Sequence, residues 1–213
     1  MNRSQPLGFA LGWMLLRPAL LGIALLSKGL LASPCVAADR PNIVLILADD
    51  LGWQDPGFAG SDFNETPQLD RLAKQGMVFT HAYAAAGNCA PSRACLLSGQ
   101  YTPRHGVYAV GTTNRGRPEL MRMKPVPNAS GLAPDNFTLP KAMKSAGYVT
   151  GMFGKWHLDG RQGSQPEQHF DVVGLAAHSW RERTEENPKG VYSITSTACD
   201  FIEANQRRPF FVY

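Results

Sequence analysis

The sequence predicts an α/β fold in which a largely parallel central sheet is flanked by helices. The first observation is the run NIVLILAD at residues 42–49, which is apolar, rich in β-branched side chains and ends in an acid. Such a run is typical of a strand buried on both faces of a parallel sheet. The second is that strand-like and helix-like segments alternate along the rest of the chain. The third is the composition, 44% hydrophobic and 18% charged, which indicates a globular protein and excludes a disordered one.

The segment after the first strand is predicted to form a helix and then a second strand. Residues 66–76, TPQLDRLAKQG, carry residues that are typical of the two ends of a helix. Thr66 is placed to cap it, Pro67 lies in its first turn and Gly76 ends it. The apolar stretch at 77–84, MVFTHAYA, is predicted to be the strand that follows.

The next segment, NCAPSRACLLSG, is predicted to be a helix that begins near Pro91 and ends before Gly99. Residues 100–137 are rich in glycine, proline, arginine and asparagine, and are predicted to be a long loop region. The remaining predicted elements are a helix at 138–147, a strand at 148–155, a helix at 191–206 and a strand at 209–213.

Residues 1–38 differ from the rest of the chain and are predicted to be a signal peptide. They contain basic but no acidic residues, have an apolar core at 18–26, and end in small side chains before Asp39. The alternative is a membrane anchor, but that requires about 20 uninterrupted apolar residues, and Arg17 and Lys28 interrupt the run. The leader therefore predicts export to a periplasmic, extracellular or lysosome-like compartment.

Removal of the leader changes the charge and the cysteine count. The formal net charge of +4 falls to +1, with 18 basic and 17 acidic residues remaining. A chain so close to neutral does not support a nucleic-acid partner. Three cysteines remain, Cys89, Cys95 and Cys199, so at least one is expected to be unpaired.

Two adjacent acids, Asp49 and Asp50, follow the first predicted strand. Ligands gather at the carboxyl ends of strands in open α/β sheets. One acid there could be an ordinary cap, but two neighbouring carboxylates repel each other unless a cation or hydrogen-bond donors neutralise them. Carboxylate oxygens favour Ca²⁺ or Mg²⁺ over thiophilic metals. The pair is therefore a candidate metal site.

Cys89 and Arg93 make the start of the following helix a candidate anion site. The positive end of a helix favours an anion, and Arg93 adds a permanent charge with a planar fork of donors. A thiolate nucleophile at Cys89 is the first interpretation. However, no nearby histidine completes the usual cysteine–histidine pair.

Three motifs in order resemble the type I sulfatases, across roughly residues 40–213. CAPSR followed by ACLLSG resembles the family's cysteine signature, and GYVTGMFGKWH (147–157) its second signature. RPNIVLILADDLGW (40–53) is similar to the metal-binding strand, and residues 65–83 resemble the helix and strand between the motifs. The resemblance implies an alkaline-phosphatase-like sandwich in which 39–213 are the N-terminal part of the catalytic domain.

The resemblance also implies a covalent mechanism. In this family a formylglycine-generating enzyme reads the Cys-x-Pro-x-Arg stretch and oxidises the cysteine to Cα-formylglycine, so Pro91 and Arg93 would take part in recognition. The hydrated aldehyde, a gem-diol, would cleave a sulfate ester through a sulfo-enzyme intermediate. The implied catalytic residues are Cys89, Arg93 and His157, the implied sulfate-binding residue is Lys155, and the implied ligands of Ca²⁺, or of Mg²⁺, are Asp49, Asp50 and the modified Cys89.

The implied substrate is a sulfated glycan or an aryl sulfate. The family's site is completed by later segments, so a chain ending at Tyr213 is expected to have little activity alone. Two other functions stay open: a phosphodiester or phosphonate monoester hydrolase of the same superfamily, and a non-catalytic remnant. Cys95 is expected to fill the core or to pair with Cys199. Asn-x-Ser/Thr triplets, potential glycosylation sites, begin at Asn64, Asn128 and Asn136.

Overall fold

The structure is a computed structural model of the 213-residue chain, and it describes residues 40–160, 163–175 and 190–213. The signal peptide predicted at 1–38 lies outside the described residues. Within the described ranges, no helix has the length and apolar character needed to cross a membrane.

The described residues form a parallel sheet of four strands, as the alternating pattern predicts. The strands are β1 (Ile43–Val44), β2 (Val149–Gly154), β3 (Val172–Leu175) and β4 (Phe210–Val212). Their order in the sheet is β1-β4-β2-β3, and each neighbouring pair is parallel. Strand β4, the last in the chain, thus lies between β1 and β2, with Phe211 opposite both Ile43 and Thr150.

The predicted helices are confirmed to within a few residues at their ends. They are α1 (Pro67–Gln75), α2 (Cys89–Ser98), α4 (Leu139–Ser145) and α5 (Val191–Ala204). The predicted loop region contains one further short helix, α3 (Thr102–His105), and a 3₁₀ turn at Pro118–Leu120. Two more 3₁₀ turns lie at Gly57–Ala59 and Pro166–Gln168.

Side chains of β4 divide between the two faces of the sheet because successive residues of a strand point in opposite directions. Phe211 packs in the larger core cluster together with Ala94 and Leu97 of α2. Phe210 and Val212 belong to a second cluster that includes Phe201 of α5. Helices therefore cover the sheet on both faces, which is the predicted layered arrangement.

The first strand is shorter and less buried than predicted. Only Ile43–Val44 forms β1, and the ladder continues by one bond from the Leu45 N–H to the Val212 carbonyl, 2.8 Å. Ile43 and Leu45 pack against the core, whereas Val44 is 51% and Ile46 is 80% exposed. The prediction of burial on both faces is therefore wrong, because nothing in the described residues covers the second face here.

Two further predictions of local structure are wrong. Residues 77–84 are not a strand; Met77 and Phe79 are 78% and 73% exposed. A strand requires a neighbour for its backbone groups, and no described strand pairs with this segment. Thr66 occupies the N-cap of α1 but makes no capping bond, because its hydroxyl accepts from the Gly57 N–H and donates to Asp70. Strand β3 is present in the structure although the sequence analysis does not predict a strand there.

Candidate active site

The parallel sheet brings separate segments of the chain together at one edge. Asp49 and Asp50 follow β1, Lys155 and His157 follow β2, and Tyr213 follows β4 directly. Because the three strands are parallel neighbours, their carboxyl ends lie side by side. This is the edge at which open α/β sheets bind ligands.

Helix α2 presents its N-terminus with Cys89 as the first helical residue. The helix begins two residues earlier than predicted, so Pro91 lies in the first turn, where its missing N–H costs no hydrogen bond. Asn88 at the N-cap has extended backbone (φ −123°, ψ 155°) and makes no side-chain capping bond. Cys89 is half-buried at the positive end of the helix, a position that favours an anion.

Asp49, Asp50 and Cys89 form a compact set of potential metal ligands. One ligand atom from each lies within 4.8 Å of the others. Asp50 has a left-handed backbone, φ 58°, which is uncommon for a residue with a Cβ but is adopted by aspartate more often than by most. Carboxylate oxygens at this spacing fit a hard divalent cation, and an oxygen at position 89 in place of sulfur would improve the fit.

Asp49 is held by two cationic side chains. Lys155 donates to Asp49 Oδ2 at 2.5 Å, and Arg93 Nη2 lies 3.6 Å from Oδ1. The hydrogen bond from Lys155 is the main reason that the pKa of Asp49 is lowered, and burial opposes it only in part. The same bond raises the pKa of Lys155. Both groups are therefore charged at neutral pH.

Arg93 is buried beneath this pair and fixed in one orientation. Its side chain is 5% exposed, and Nη1 donates to the Lys155 carbonyl oxygen at 2.9 Å and to the Tyr213 hydroxyl at 2.7 Å. Its Nε is buried without a hydrogen-bond partner among the described residues. A guanidinium held in this way keeps its charge and presents its donors in one fixed plane, which favours an anion close to it.

Tyr213 is a residue that the sequence analysis missed. Its position at the end of an apolar strand, in PFFVY, is the only signal in the sequence. In the structure it is 9% exposed and its ring stacks on Phe170, with centroids 6.2 Å apart. Burial raises the pKa of its phenol, so the hydroxyl stays protonated while it accepts from Arg93.

His157 follows Lys155 by two residues and has a left-handed backbone, φ 61°. Burial, with the positive charges of Lys155 and Arg93, lowers the pKa of His157 below its usual value. The ring is therefore neutral at neutral pH. Its Nδ1 is buried and has no hydrogen-bond partner in the described part of the chain.

Cys95 lies within the core and does not pair with Cys199. It is 5% exposed, whereas Cys199 is exposed on α5, and both are free thiols. The Cys95 sulfur lies 3.3 Å from Nε2 of His105, whose Nδ1 accepts from the Val107 N–H at 3.1 Å. Burial raises the pKa of the Cys95 thiol and lowers that of His105. The prediction of a core-filling Cys95 is confirmed, and pairing with Cys199 is wrong.

Comparison with known proteins identifies the family that the motifs resemble. The family described as Sulfatase matches residues 41–213. N-acetylgalactosamine-6-sulfatase from Mus musculus is 42% identical, over 90% of this chain and 42% of its own. Arylsulfatase G from Rattus norvegicus is 41% identical, over 93% of this chain and 36% of its own. The chain thus spans less than half the length of these relatives.

Solved structures show the same fold. One, from work on glycosaminoglycan metabolism by Bacteroides thetaiotaomicron, has a TM-score of 0.65 at 22% identity, over 83% of this chain and 50% of its own. Another, a complex with its substrate D-glucosamine-2-N,6-O-disulfate, has a TM-score of 0.62 at 30% identity, over 82% of this chain and 33% of its own. A phosphonate monoester hydrolase of Agrobacterium radiobacter shares the fold. Its TM-score is 0.57 at 20% identity, over 81% of this chain and 40% of its own.

Proposed function

Because the chain belongs to the sulfatase family, we propose that residues 39–213 are the N-terminal part of a catalytic domain that hydrolyses sulfate esters. The observation that carries the proposal is the meeting of Cys89, at a helix start, with the cations Arg93 and Lys155. Arg93 supplies a planar fork of donors and Lys155 a compact positive charge, which are the partners that the anionic oxygens of a sulfate ester need. The phosphonate hydrolase with this fold makes a phosphorus ester the competing substrate class.

The proposed nucleophile is position 89 after conversion to Cα-formylglycine by a formylglycine-generating enzyme. The hydrated aldehyde supplies a hydroxyl for attack on sulfur and a second hydroxyl for release of sulfate. Arg93 holds the sulfate and the hydrated group through a guanidinium that burial has already oriented. Lys155, kept charged by its bond to Asp49, binds a sulfate oxygen. Neutral His157 takes up a proton during release.

We propose that Asp49, Asp50 and the oxygen of the modified residue 89 hold a divalent cation, Ca²⁺ by preference and Mg²⁺ as the alternative. Such an ion supplies positive charge beside the reacting group. The spacing of the ligand atoms and the hardness of carboxylate oxygen support this assignment. Ca²⁺ takes about six to eight oxygen ligands, so further ligands are required in addition to these three.

The proposed substrate is a sulfated glycan, with an aryl sulfate as the alternative. Two relatives whose names specify amino-sugar sulfates support the first, N-acetylgalactosamine-6-sulfatase and the structure with bound D-glucosamine-2-N,6-O-disulfate. The name of arylsulfatase G supports the second. We also propose that the protein is exported. N-terminal sequencing of the secreted product should begin at or near Asp39, and recovery of intact Met1 would contradict export.

The function is tested with the complete product of the gene, co-expressed with a formylglycine-generating enzyme. The peptide containing position 89 should carry an aldehyde that reacts with hydrazide probes, and the protein should release sulfate from N-acetylgalactosamine 6-sulfate. Arg93→Ala should block conversion, leaving a free thiol at 89. Cys89→Ser should react at most once, because serine offers no second hydroxyl.

Cys95→Ser is the matched control and should leave both conversion and turnover intact, since Cys95 is buried in the core and is not one of the grouped potential metal ligands. Faster hydrolysis of a phosphonate monoester than of any sulfate ester would favour the competing substrate class. Sulfate release by a protein whose residue 89 remains an alkylatable thiol would sink the formylglycine mechanism.

A further inference from the structure

The loop at residues 112–127, called here the basic loop, concentrates positive charge in a nearly neutral protein. It carries four basic residues and one acid, a net charge of +3, whereas the chain after the leader has a net charge of +1. The rest of that chain is therefore net negative. The charged residues of the basic loop are Arg115, Arg117, Glu119, Arg122 and Lys124, and all are exposed.

The ends of the basic loop are tied together by side chains. Asn128 Oδ1 accepts from the N–H groups of Tyr108 and Ala109 at 2.7 and 3.0 Å, and its Nδ2 donates to the carbonyls of Ala109 and Gly111, both at 2.9 Å. The Thr113 hydroxyl donates to the carbonyl of Val126 at 2.6 Å. These bonds fix the base of the loop, so its charges project from a defined position.

The base of the basic loop is anchored to the segment that follows β2. Gly131, three residues after Asn128, forms an antiparallel bridge with Asp159. Asp159 lies two residues after His157, and its charge acts on the His157 ring. Since an extended chain covers about 3.5 Å per residue, the base lies within roughly 25 Å of His157. A polymeric ligand is long enough to reach both places anywhere within this limit.

The exposed surface of the basic loop combines two kinds of group. Arginine forks pair with sulfate oxygens in a bidentate manner. Leu120 and Met123, 73% and 82% exposed, offer apolar surface between the charges. Glu119, the one acid of the loop, does not cancel its positive charges, because the exposed Arg117–Glu119 ion pair, at 3.7 Å, contributes little interaction energy in water. Alternating sulfates and apolar ring faces are the matching features of a sulfated polysaccharide.

We propose that the basic loop is a subsite for a polyanionic sulfated glycan, in which it holds sulfate groups remote from the bond that is cleaved. The inference deepens the proposed function, on which it rests, since it makes the substrate a polymer rather than a small ester. The polymer would gain affinity from two contacts at once, the strand-end site and the basic loop.

The test uses the complete gene product and fluorescein-labelled chondroitin sulfate chains. The loop variant carries Arg117→Gln, Arg122→Gln and Lys124→Gln; Arg115 is retained because its guanidinium donates to the carbonyls of Thr112 and Asn114 and shapes the loop. The matched control carries Arg71→Gln, Lys74→Gln and Arg207→Gln, which remove the same charge from exposed positions elsewhere.

The loop variant should bind chondroitin sulfate about tenfold more weakly, with a shallower dependence of affinity on salt, because fewer ion contacts form. The control should bind as the wild type does. Hydrolysis of a small aryl sulfate should be unchanged in both variants, and a sulfated oligosaccharide should show a raised KM in the loop variant alone.

Equal binding by the loop variant and the control would overturn the proposal. So would equally tight binding of double-stranded DNA at matched charge, since the surface would then be a general polyanion site. The proposed function can fail independently of the subsite. A protein that binds chondroitin sulfate through the basic loop but releases no sulfate from any ester would support the subsite and contradict the proposed enzymatic function.

Discussion

Arg93 shows how one side chain can join three strands into one site. It starts from helix α2, donates to the backbone after β2 and to the side chain that ends β4, and lies beside the acid after β1. A guanidinium is suited to this because it offers five donors in one rigid plane and does not lose its charge. Lysine at this position could not make the same set of contacts.

Tyr213→Phe tests the orientation of Arg93 without disturbing the packing of the ring. The variant removes the acceptor of a 2.7 Å bond but keeps the stacking on Phe170. Hydrogen bonds to charged groups contribute about 1.5–3 kcal/mol to stability, so we expect a lower melting temperature. We also expect sulfate affinity, measured by calorimetry, to fall roughly tenfold, because Arg93 is no longer held in one orientation. Tyr101→Phe, at an exposed position, is the control. Equal affinity in the two variants would show that Tyr213 is only structural.

Asp50→Asn tests the proposed metal site. The substitution retains size and removes one anionic ligand, so we expect Ca²⁺ affinity, measured by isothermal titration calorimetry on the formylglycine-containing protein, to fall at least about tenfold. The far-UV spectrum should not change, because Asp50 is exposed and makes no ion pair among the described residues. Asp62→Asn provides a matched exposed acid. Undiminished Ca²⁺ binding in Asp50→Asn would contradict the assignment.

His169 predicts a dependence of stability on pH. It is fully buried between the hydroxyls of Thr138 (2.9 Å) and Ser164 (2.7 Å), and burial lowers its pKa to about 4. Because the unfolded state protonates near pH 6.5 and the folded state does not, stability from this residue is lost as the pH falls from about 6.5 to 4. The loss at pH 5 should be about 2 kcal/mol.

The measurement is urea unfolding at pH 7.5 and pH 5.0. His169→Gln should be less stable than the wild type at pH 7.5 but should lose about 2 kcal/mol less on acidification. His81→Gln, an exposed control, should keep the wild-type difference. The same acid-induced loss in all three proteins would exclude His169 as its source.

At the scale of elements, strand β4 organises the molecule although it is the last strand in the chain. Its three residues are 4%, 0% and 5% exposed, and it separates β1 from β2. The acids after β1 and the lysine after β2 are thereby separated by one strand, β4, which places Tyr213 between them. The Phe-Phe-Val sequence meets the requirement of a central strand, since apolar side chains are needed on both faces.

At the scale of elements, Asn128 also holds together the two ends of the basic loop. Asn128→Ala removes four hydrogen bonds to the loop base, so we expect a loss of roughly 2 kcal/mol in unfolding free energy and faster tryptic cleavage after Arg115 and Arg122. Asn114→Ala, within the exposed loop, is the control and should leave both measurements unchanged. An uncleaved loop in Asn128→Ala would show that other contacts fix the base.

At the scale of the whole molecule, the described residues leave much apolar surface uncovered. Ile46, Met77 and Phe79 are 80%, 78% and 73% exposed, and Trp53 is 80% exposed. Where such side chains form a patch, they mark an interface or cause association. The chain matches less than half of its curated relatives' length, so in the relatives additional polypeptide is available to cover the corresponding faces.

The 213-residue chain expressed alone should therefore self-associate. We expect light scattering after gel filtration to give a mass above that of a monomer, and we expect a hydrophobic dye to bind. Ile46→Lys with Phe79→Lys should reduce both signals, because charged side chains block association of exposed strands and apolar faces. Phe137→Lys, an isolated exposed position, should have a smaller effect. A monodisperse monomer that binds no dye would contradict this prediction.

The sequence by itself determined the fold class, the helices and the motifs that carry the chemistry. Helix ends are local properties: proline in a first turn or glycine past a last one acts within a few residues. The spacing of Cys89, Pro91 and Arg93 is likewise local. Such features were predicted because neighbouring residues alone decide them, and the family match supports the motifs as a set.

Only the tertiary structure decided which side chains meet and which segments become strands. The insertion of β4 between β1 and β2, the contact of Tyr213 with Arg93, and the free state of Cys95 join residues far apart in sequence. Residues 77–84 have strand-like composition but no partner, whereas the four residues of β3 pair with β2. A strand is stabilised by hydrogen bonds to a neighbour, so its existence depends on distant chain segments in a way that a helix does not.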